Sequence, residues 1–418
     1  MFIPATVEKQ YEQAKADDLK VLVVGAGIAG VTAAQLLRRG GRHPVVIERT
    51  GDASAAGYML ALMPMVDAAI EDLAVGDRYR ASSVALQRYA VHGHTGRLLR
   101  EDSMAEIMAS FGDYRGIARG ELLDVLSADG CPVAFDSTVT EIRETPRGVE
   151  ARVATADVAQ RLDFDLIVIA DGMHSTTREL VPAYRPAGIT DTKWGGWVVW
   201  ARSKDAEHAE VETDLGEEVW GDGFFIGMYP VAGALGIFLG GPRADTIAGP
   251  GPFTERIRAR LATINPRIAG ALTAVAEDAN PYYWSLTDCR APAWTTGHTV
   301  LLGDAAAGFL PTAGVGAGMA MESAWVLARM LRHADRAGLS RLLRAFEQGQ
   351  RPRVEAAQDN SRQLAKVMFR RSRTLAWARE LAMRFMSVER ALRPIQRLLG
   401  NQPDPDALVR ERAGATQR

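Results

Sequence analysis

The sequence predicts an α/β fold: a parallel, Rossmann-like sheet, a mostly antiparallel β-sheet inserted into it, and helices at the C-terminal end. Three observations predict it. Short runs at 20–24, 166–170 and 299–302 are apolar on both faces and end against glycine or aspartate, as buried parallel strands do. Gly25-Ala26-Gly27-Ile28-Ala29-Gly30 joins the first run to a segment of helical period. From about 188 to 286 the texture changes to aromatic strands, at 194–200, 220–229 and 236–240.

The elements follow in order. A helical lead-in over 5–16 precedes the strand at 20–24. Ile28–Arg39 reads as a helix closed by Gly40-Gly41 at its C-cap. Val45–Ile47 is the next strand, with Glu48 at its carboxyl end, completing a βαβ opening. A strand-to-helix unit occupies 117–126, and 138–143 with 148–153 reads as an antiparallel meander. After the inserted sheet, 299–302 returns to the parallel sheet and Gly316–Leu331 is a long helix. Helices fill the remainder, one with an apolar stripe of Leu375, Ala378, Ala382, Phe385 and Val388; the end from Asn401 is expected to fray. The expected division is 19–80, 105–183 and 288–350 for a discontinuous cofactor domain, 81–104 and 184–287 for a substrate domain, and 351–418 for a C-terminal helical region.

Composition narrows the function. The 418 residues suffice for a large core, and 47 % hydrophobic with 24 % charged residues is ordinary for a globular chain. The first 20 residues lack the apolar centre of a signal peptide, and no run reaches the roughly 20 apolar residues of a membrane-spanning helix. Cys131 and Cys289 have no metal or redox spacing, so a reduced, cytoplasmic setting is expected. A net charge of −2 argues against nucleic acid. Residues 351–418 carry 15 Lys plus Arg against 7 Asp plus Glu, or +8, leaving −10 elsewhere. This excess is read as solvated helix faces, with a membrane-surface or partner contact as the alternative.

Three motifs describe the pocket of one flavin dinucleotide. Gly25, Gly27 and Gly30 permit a tight turn, approach to a pyrophosphate and helix-on-strand packing, while the helix start at Ile28 and Ala29 faces the phosphates. Glu48, with Arg49 beside it, stands where a ribose-binding acid is expected. Arg119 lies at a helix start, where a cation is disfavoured by about 0.3–1 kcal/mol unless an anion is near. Asp171-Gly172 and Gly303-Asp304 each follow a buried strand at the edge where such sheets bind ligands. Pro311, Gly314, Gly316, Ala317 and Gly318 then precede a helix whose first N–H groups suit the flavin pyrimidine edge.

On these residues the chain resembles the FAD-dependent group A aromatic hydroxylases similar to p-hydroxybenzoate hydroxylase, and within them the branch of tetracycline-inactivating monooxygenases. The likeness runs from about Lys20 to Arg353 and includes Asp171 through Arg178 and Gly303 through Glu322. It implies that Glu48 holds the adenosine ribose, Arg119 the phosphate–ribityl region, Asp304 the ribityl chain, and the main chain at Ala317 and Gly318 the flavin ring. Ala307 and Gly318 depart from relatives with His and Asn there.

The resemblance implies that NADPH or NADH, lacking a second GxGxxG, visits transiently to reduce FAD. O2 then forms a C4a-hydroperoxyflavin that hydroxylates or epoxidises a hydrophobic substrate, expected to be an aromatic or polyketide/isoprenoid-like natural product. Met59, Trp220, Phe225, Met228, Tyr229 and Pro311 are the expected lining, and Tyr58 and His92 the candidates for polarising a phenol. His92 and His94 without a partner make no metal site. Flavin-dependent halogenation is rejected: Trp194, Trp197 and Trp200 have the wrong spacing, and no lysine lies between Lys20 and Lys193. The alternatives are an FAD-containing cyclase using the same pocket, and a non-catalytic binding module using the basic helices. A monomer or a homodimer fits equally.

Overall fold

The computed structural model describes residues 1–51, 57–156, 158–202, 213–332, 334–383 and 388–413. After a short strand at Phe2–Pro4 and a helix at Val7–Ala14, β1 (Val21–Val24) leads through the glycine turn to α1 (Ile28–Arg39) and β2 (Val45–Ile47). A hairpin follows, β3 (Arg88–His92) and β4 (Leu98–Ser103), and then α2 (Arg119–Leu126). Beyond a three-stranded meander over 138–164, β5 (Leu166–Ile169) returns to the first sheet.

That sheet is completed by β11 (Thr299–Leu301), in the order β11-β5-β1-β2, every pair parallel. Val168 lies opposite Val23 on one side and Val300 on the other, and Val23 opposite Val46. All residues of these strands are buried, so both faces must be covered by helices or further chain. Three of these segments are those predicted from their apolar runs, and Val45–Ile47 is the strand predicted to complete the βαβ opening.

The inserted region supplies β6 (Gly188–Arg202), β7 (Leu215–Trp220), β8 (Phe225–Val231) and β9 (Ala234–Pro242). Helices α3 (Pro250–Arg260) and α4 (Pro266–Glu277) follow, then β10 (Tyr282–Arg290). With Ala307–Gly308, β3 and β4 these strands build an eight-stranded sheet, antiparallel except where β7 runs beside β3. One face packs Val219, Met228, Ile237 and Leu239 against Ile257 and Leu272 of the two helices. The other carries Trp220, Phe225 and Phe238.

Two expectations fail here. The segment 220–229 is not one strand: Gly221 to Gly223 turns the chain, Gly223 at φ +101°, and splits it into β7 and β8. The segment 250–277, expected as part of the inserted sheet, is two helices, and Pro250 and Pro266 each open one at its first position.

The C-terminal part begins with β11 (Thr299–Leu301) and α5 (Gly316–Leu331). Four helices follow: α6 (Leu339–Met368), α7 (Arg373–Met383), α8 (Val388–Gly400) and α9 (Pro405–Ala413). The expected fraying from Asn401 is thus corrected over 401–413, where Asp404 accepts from the N–H groups of Asp406 and Ala407 and starts a helix; 414–418 lie outside the described residues. The predicted stripe is corrected as well. Leu375, Ala378 and Ala382 are exposed, while Ala376 and Arg379 face inward; Phe385 lies outside the described residues, as does the side chain of Val388.

The long helix α6 links the eight-stranded sheet to α5. Arg362 grips the fully buried Asp288 of β10 with two bonds of 2.7 and 2.8 Å, and Arg353 grips Glu322 of α5 at 2.7 and 2.8 Å. Removing the cation strands a buried charge, at a cost of about 3–5 kcal/mol. Arg362→Met is therefore expected to lower unfolding free energy by about 3 kcal/mol, measured from the urea midpoint at unchanged slope. A loss below about 0.5 kcal/mol would mean that the pair acts as an exposed one.

Candidate active site

The tips of β1, β5 and β11 meet. Gly25 follows β1 at φ +104°, and a Cβ there would lie 2.5 Å from the Ala170 carbonyl oxygen. Gly30 presses on the turn itself, its missing Cβ only 2.0 Å from the Gly25 oxygen. Gly27, between them, has open space beyond it. Gly303 follows β11 at φ +60° against Ala29 of α1. Neither α1 nor α5 has a side-chain cap at its start, so their first N–H groups remain for a ligand to satisfy.

Two pockets open on these tips. The smaller, about 230 Å³, is lined by Gly25, Glu48, Arg49, Ser137, Asp171 and His174, among others. The larger, about 890 Å³, extends from the tips to the aromatic face of the eight-stranded sheet. Gly27, Arg119, Ala170 and Gly172 line both, so the two are one elongated site. Its size is that of a cofactor site with room to spare for a small molecule.

The predicted cofactor residues divide between the pockets. Ile28, Ala29, Asp304, Pro311, Gly314, Gly316 and Ala317 line the larger. Gly30 and Gly303 shape the backbone without lining either. Gly318 is also absent from the lining; it lies against Met65, 2.7 Å from where a Cβ would stand. Ala307 is buried and pairs with Arg290. Glu48 Oε2 accepts from the Ala26 N–H at 2.9 Å, and its Oε1 from Thr50, which ties the acid to the glycine turn.

The donor set fits a dinucleotide. Asp171 Oδ2 accepts from the Thr177 N–H at 3.2 Å, while its Oδ1 is buried without a partner at the smaller pocket. An orphaned carboxylate oxygen asks for a donor such as a hydroxyl or amide. Arg119 is the first residue of α2 and lies between the pockets, and its cation lowers the proton affinity of Asp304. Arg178, predicted within the same motif, instead donates to the carbonyls of Ala305 (2.8 Å) and Met173 (3.2 Å), tying two strand tips together.

Among the predicted substrate residues, Met59, Trp220, Phe225, Tyr229 and Pro311 line the large cavity. Met228 does not. It is fully buried on the opposite face of the sheet, among the residues packed on α3 and α4, because a strand sends successive side chains to opposite faces. His92 is corrected for the same reason. Its Nε2 pairs with Glu217 at 2.7 Å and its Nδ1 with the Gly96 carbonyl at 3.0 Å, away from the cavity. Burial pulls the imidazole down, but the Glu217 carboxylate outweighs this and holds it above its ordinary value. His94 pairs with Glu380 at 2.6 Å, and among the described residues no group of three or more acid, His or Cys side chains is placed to hold a metal ion.

Tyr58 does line the cavity, its ring 5.2 Å from that of Trp284. Burial and the nearby Asp304 push its hydroxyl up to about 12, against the pull of Arg119, so it is a donor at neutral pH.

One residue escaped the sequence reading. Glu218 of β7 is buried in the cavity wall and accepts from Trp220 Nε1 at 2.6 Å and from the Tyr229 and Tyr89 hydroxyls. Burial raises its carboxyl above the ordinary range despite these donors, and the same burial with the same carboxylate pushes both tyrosines far up. The signal was present: Glu217-Glu218 is an acid pair within a strand, and period-2 geometry must turn one inward on each face.

Asp304 gives a pH test. Burial lifts its carboxyl from 3.8 to about 6, with Arg119 opposing. The folded chain thus holds this proton more tightly than the unfolded one, so the contribution is intact below pH 3.8 and is lost as pH rises through about 6. Asp304→Asn removes that loss. The Tm of ligand-free Asp304→Asn is expected to gain on the parent between pH 5 and pH 7.5; a constant difference would mean that the carboxyl is not desolvated.

Comparison with known proteins agrees with this geometry. The profile of the family described as FAD binding domain matches residues 18–361. Aurachin C monooxygenase/isomerase of Stigmatella aurantiaca is 28% identical over 386 residues, covering 89% of this chain and 95% of the relative. The 2-heptyl-3-hydroxy-4(1H)-quinolone synthase of Pseudomonas aeruginosa is 28% identical over 390 residues, covering 91% and 97%. Klebsiella pneumoniae HpxO, solved with FAD and uric acid, superposes with TM-score 0.80 at 22% identity, over 94% of this chain and 99% of that one. Tetracycline destructase Tet(55) superposes with TM-score 0.67 at 20% identity, over 92% and 98%. A dinucleotide site on three strand tips, matched over most of the chain by this profile, places the protein in the FAD binding domain family as an FAD-dependent monooxygenase.

Proposed function

We propose that this monooxygenase uses NAD(P)H and O2 to hydroxylate or epoxidise a hydrophobic, ring-containing organic substrate of aromatic or polyketide/isoprenoid type. The observation that carries the reading is the large cavity, aromatic and aliphatic over most of its wall, continuous with the cofactor site and holding the buried acid Glu218. Bound FAD would supply the redox chemistry, hydride acceptance from the nicotinamide and activation of O2. One oxygen atom enters the substrate and the other leaves as water, with NAD(P)H and one proton consumed. On this reading 19–80, 105–183 and 288–350 hold the cofactor, and 81–104 with 184–287 cover the substrate.

The chain's own residues bind, orient and exclude water. The smaller pocket holds the adenosine end through Glu48, with Arg119 at the phosphates and Asp304 accepting from the ribityl hydroxyls. The first turn of α5, at Gly316 and Ala317, directs N–H groups to the ring edge where negative charge collects on reduction. Trp220, Phe225 and Phe238 keep water from the reacting face. Glu218 accepts the proton of a substrate O–H or N–H, either directly or through the Tyr229 hydroxyl. That donation raises the electron density of the ring to be oxygenated. Tyr58, protonated at neutral pH, donates to a substrate carbonyl or hydroxyl oxygen.

The purified protein is expected to be yellow and to oxidise NADPH faster when a phenolic or quinolone substrate is added, with an oxygenated product by mass spectrometry. Substrate conversion without NADPH oxidation would instead favour a redox-neutral cyclase. Glu218→Gln is expected to lower kcat by about 100-fold or more at unchanged FAD content, and to remove the acid limb of the rate profile. An unchanged pH profile would take Glu218 out of the proton path.

A further inference from the structure

Helix α7 is inside out. Its exposed side is Thr374, Leu375, Trp377, Ala378, Leu381 and Ala382, with Leu375 52%, Trp377 61% and Leu381 42% exposed. Its two interior charges point the other way. Arg379 is buried, donating to the carbonyls of Met368 (3.2 Å) and Trp220, and Glu380 accepts from the N–H and ring of His94 at 2.6 Å. A helix that meets only water carries its polar residues outward. These buried polar bonds fix the rotation of α7, so its apolar side is held outward by the fold.

The surroundings of that face are cationic. Lys366, Arg370, Arg371 and Arg373 are all exposed at the junction of α6 and α7, with exposed Val367 among them. Among the described residues the one acid paired with these cations is Asp245, 3.2 Å from Arg371. Apolar and aromatic side chains ringed by Lys and Arg on a peripheral helix are the composition that settles at a bilayer interface. The face is also the mouth of the substrate cavity: Val367, Arg370, Leu375 and Ala382 are exposed and line the cavity.

We infer that this face docks on an anionic lipid bilayer, with the cavity mouth turned toward the lipid. Trp377 and Leu381 enter the interface, and the cations meet lipid phosphates and carboxylates. An apolar substrate dissolved in the membrane then passes into the cavity without crossing water. A second copy of this chain fits the face less well, since a twofold axis brings the same four cations against each other. Among the described residues no helix is long and apolar enough to cross a membrane, so the contact is peripheral.

The test needs no substrate, so it stands apart from the proposed reaction. The full-length, FAD-loaded protein is floated with vesicles of phosphatidylcholine alone or with about one-third phosphatidylglycerol. Binding to the anionic vesicles is expected to be at least about tenfold tighter and to weaken with salt. Trp377→Gln with Leu381→Gln should reduce it by about tenfold or more. Lys366→Gln and Arg373→Gln should each reduce it by about fivefold. None of these side chains lines the cavity, so flavin absorbance and Tm should hold. Equal or absent binding to the two vesicle types overturns the inference, as does full binding by the Trp377 and Leu381 double variant. A lipid-free dimer that the same variant dissociates would assign the face to self-association instead.

Discussion

The site exists because three strand tips can touch through backbone alone. Gly25, Gly30 and Gly303 each stand where a Cβ would fall 2.0 to 2.7 Å from a neighbouring atom, a separation that ordinary van der Waals contact forbids. Their bare backbones let β1 reach β5, let α1 close on its own turn, and let β11 abut α1. Any side chain at one of them spreads the tips and dissolves the groove between them. Arg178 reinforces the arrangement from below by bonding carbonyls on either side of it. The glycine turn, Asp171 and Asp304 are all attached to this junction.

The eight-stranded sheet shows how one surface serves packing and chemistry together. Glu217 and Glu218 are consecutive, yet one is neutralised by His92, Asn265 and Arg267 on the helical side, and the other stands in the cavity wall with hydroxyl and indole donors. The first is a satisfied structural acid. The second has only neutral donors, so its charge is sustained by hydrogen bonds and its proton affinity is raised. A cavity otherwise lined by rings thereby gains one directional polar contact.

Much of the frame was legible in the sequence, because buried parallel strands leave continuous apolar runs and glycine marks where they stop. The helices Ile28–Arg39 and Gly316–Leu331 fall where their periodicity and flanking glycines put them. Sidedness was not legible. Met228 and Tyr229 are neighbours, and only the packing of α3 and α4 decides which faces the cavity. His92 looked free because its partner, Glu217, lies on a strand brought alongside by β7 pairing with β3. Periodicity revealed a stripe on α7 but not its direction, since that is set by Trp220 and His94, which lie 159 and 286 positions from Arg379 and Glu380.

The 30-residue helix α6 has a mechanical meaning. Along one rod it clasps Glu322 behind the glycine loop, accepts the Thr312 hydroxyl at Ser361, and locks Asp288 of the antiparallel sheet. Pro352 omits one of its internal bonds without ending it. The antiparallel sheet and α5, pinned by a shared strut, have no independent route to melting. Heat or denaturant should dissolve both in one concerted transition, and any loosening of one is felt in the other.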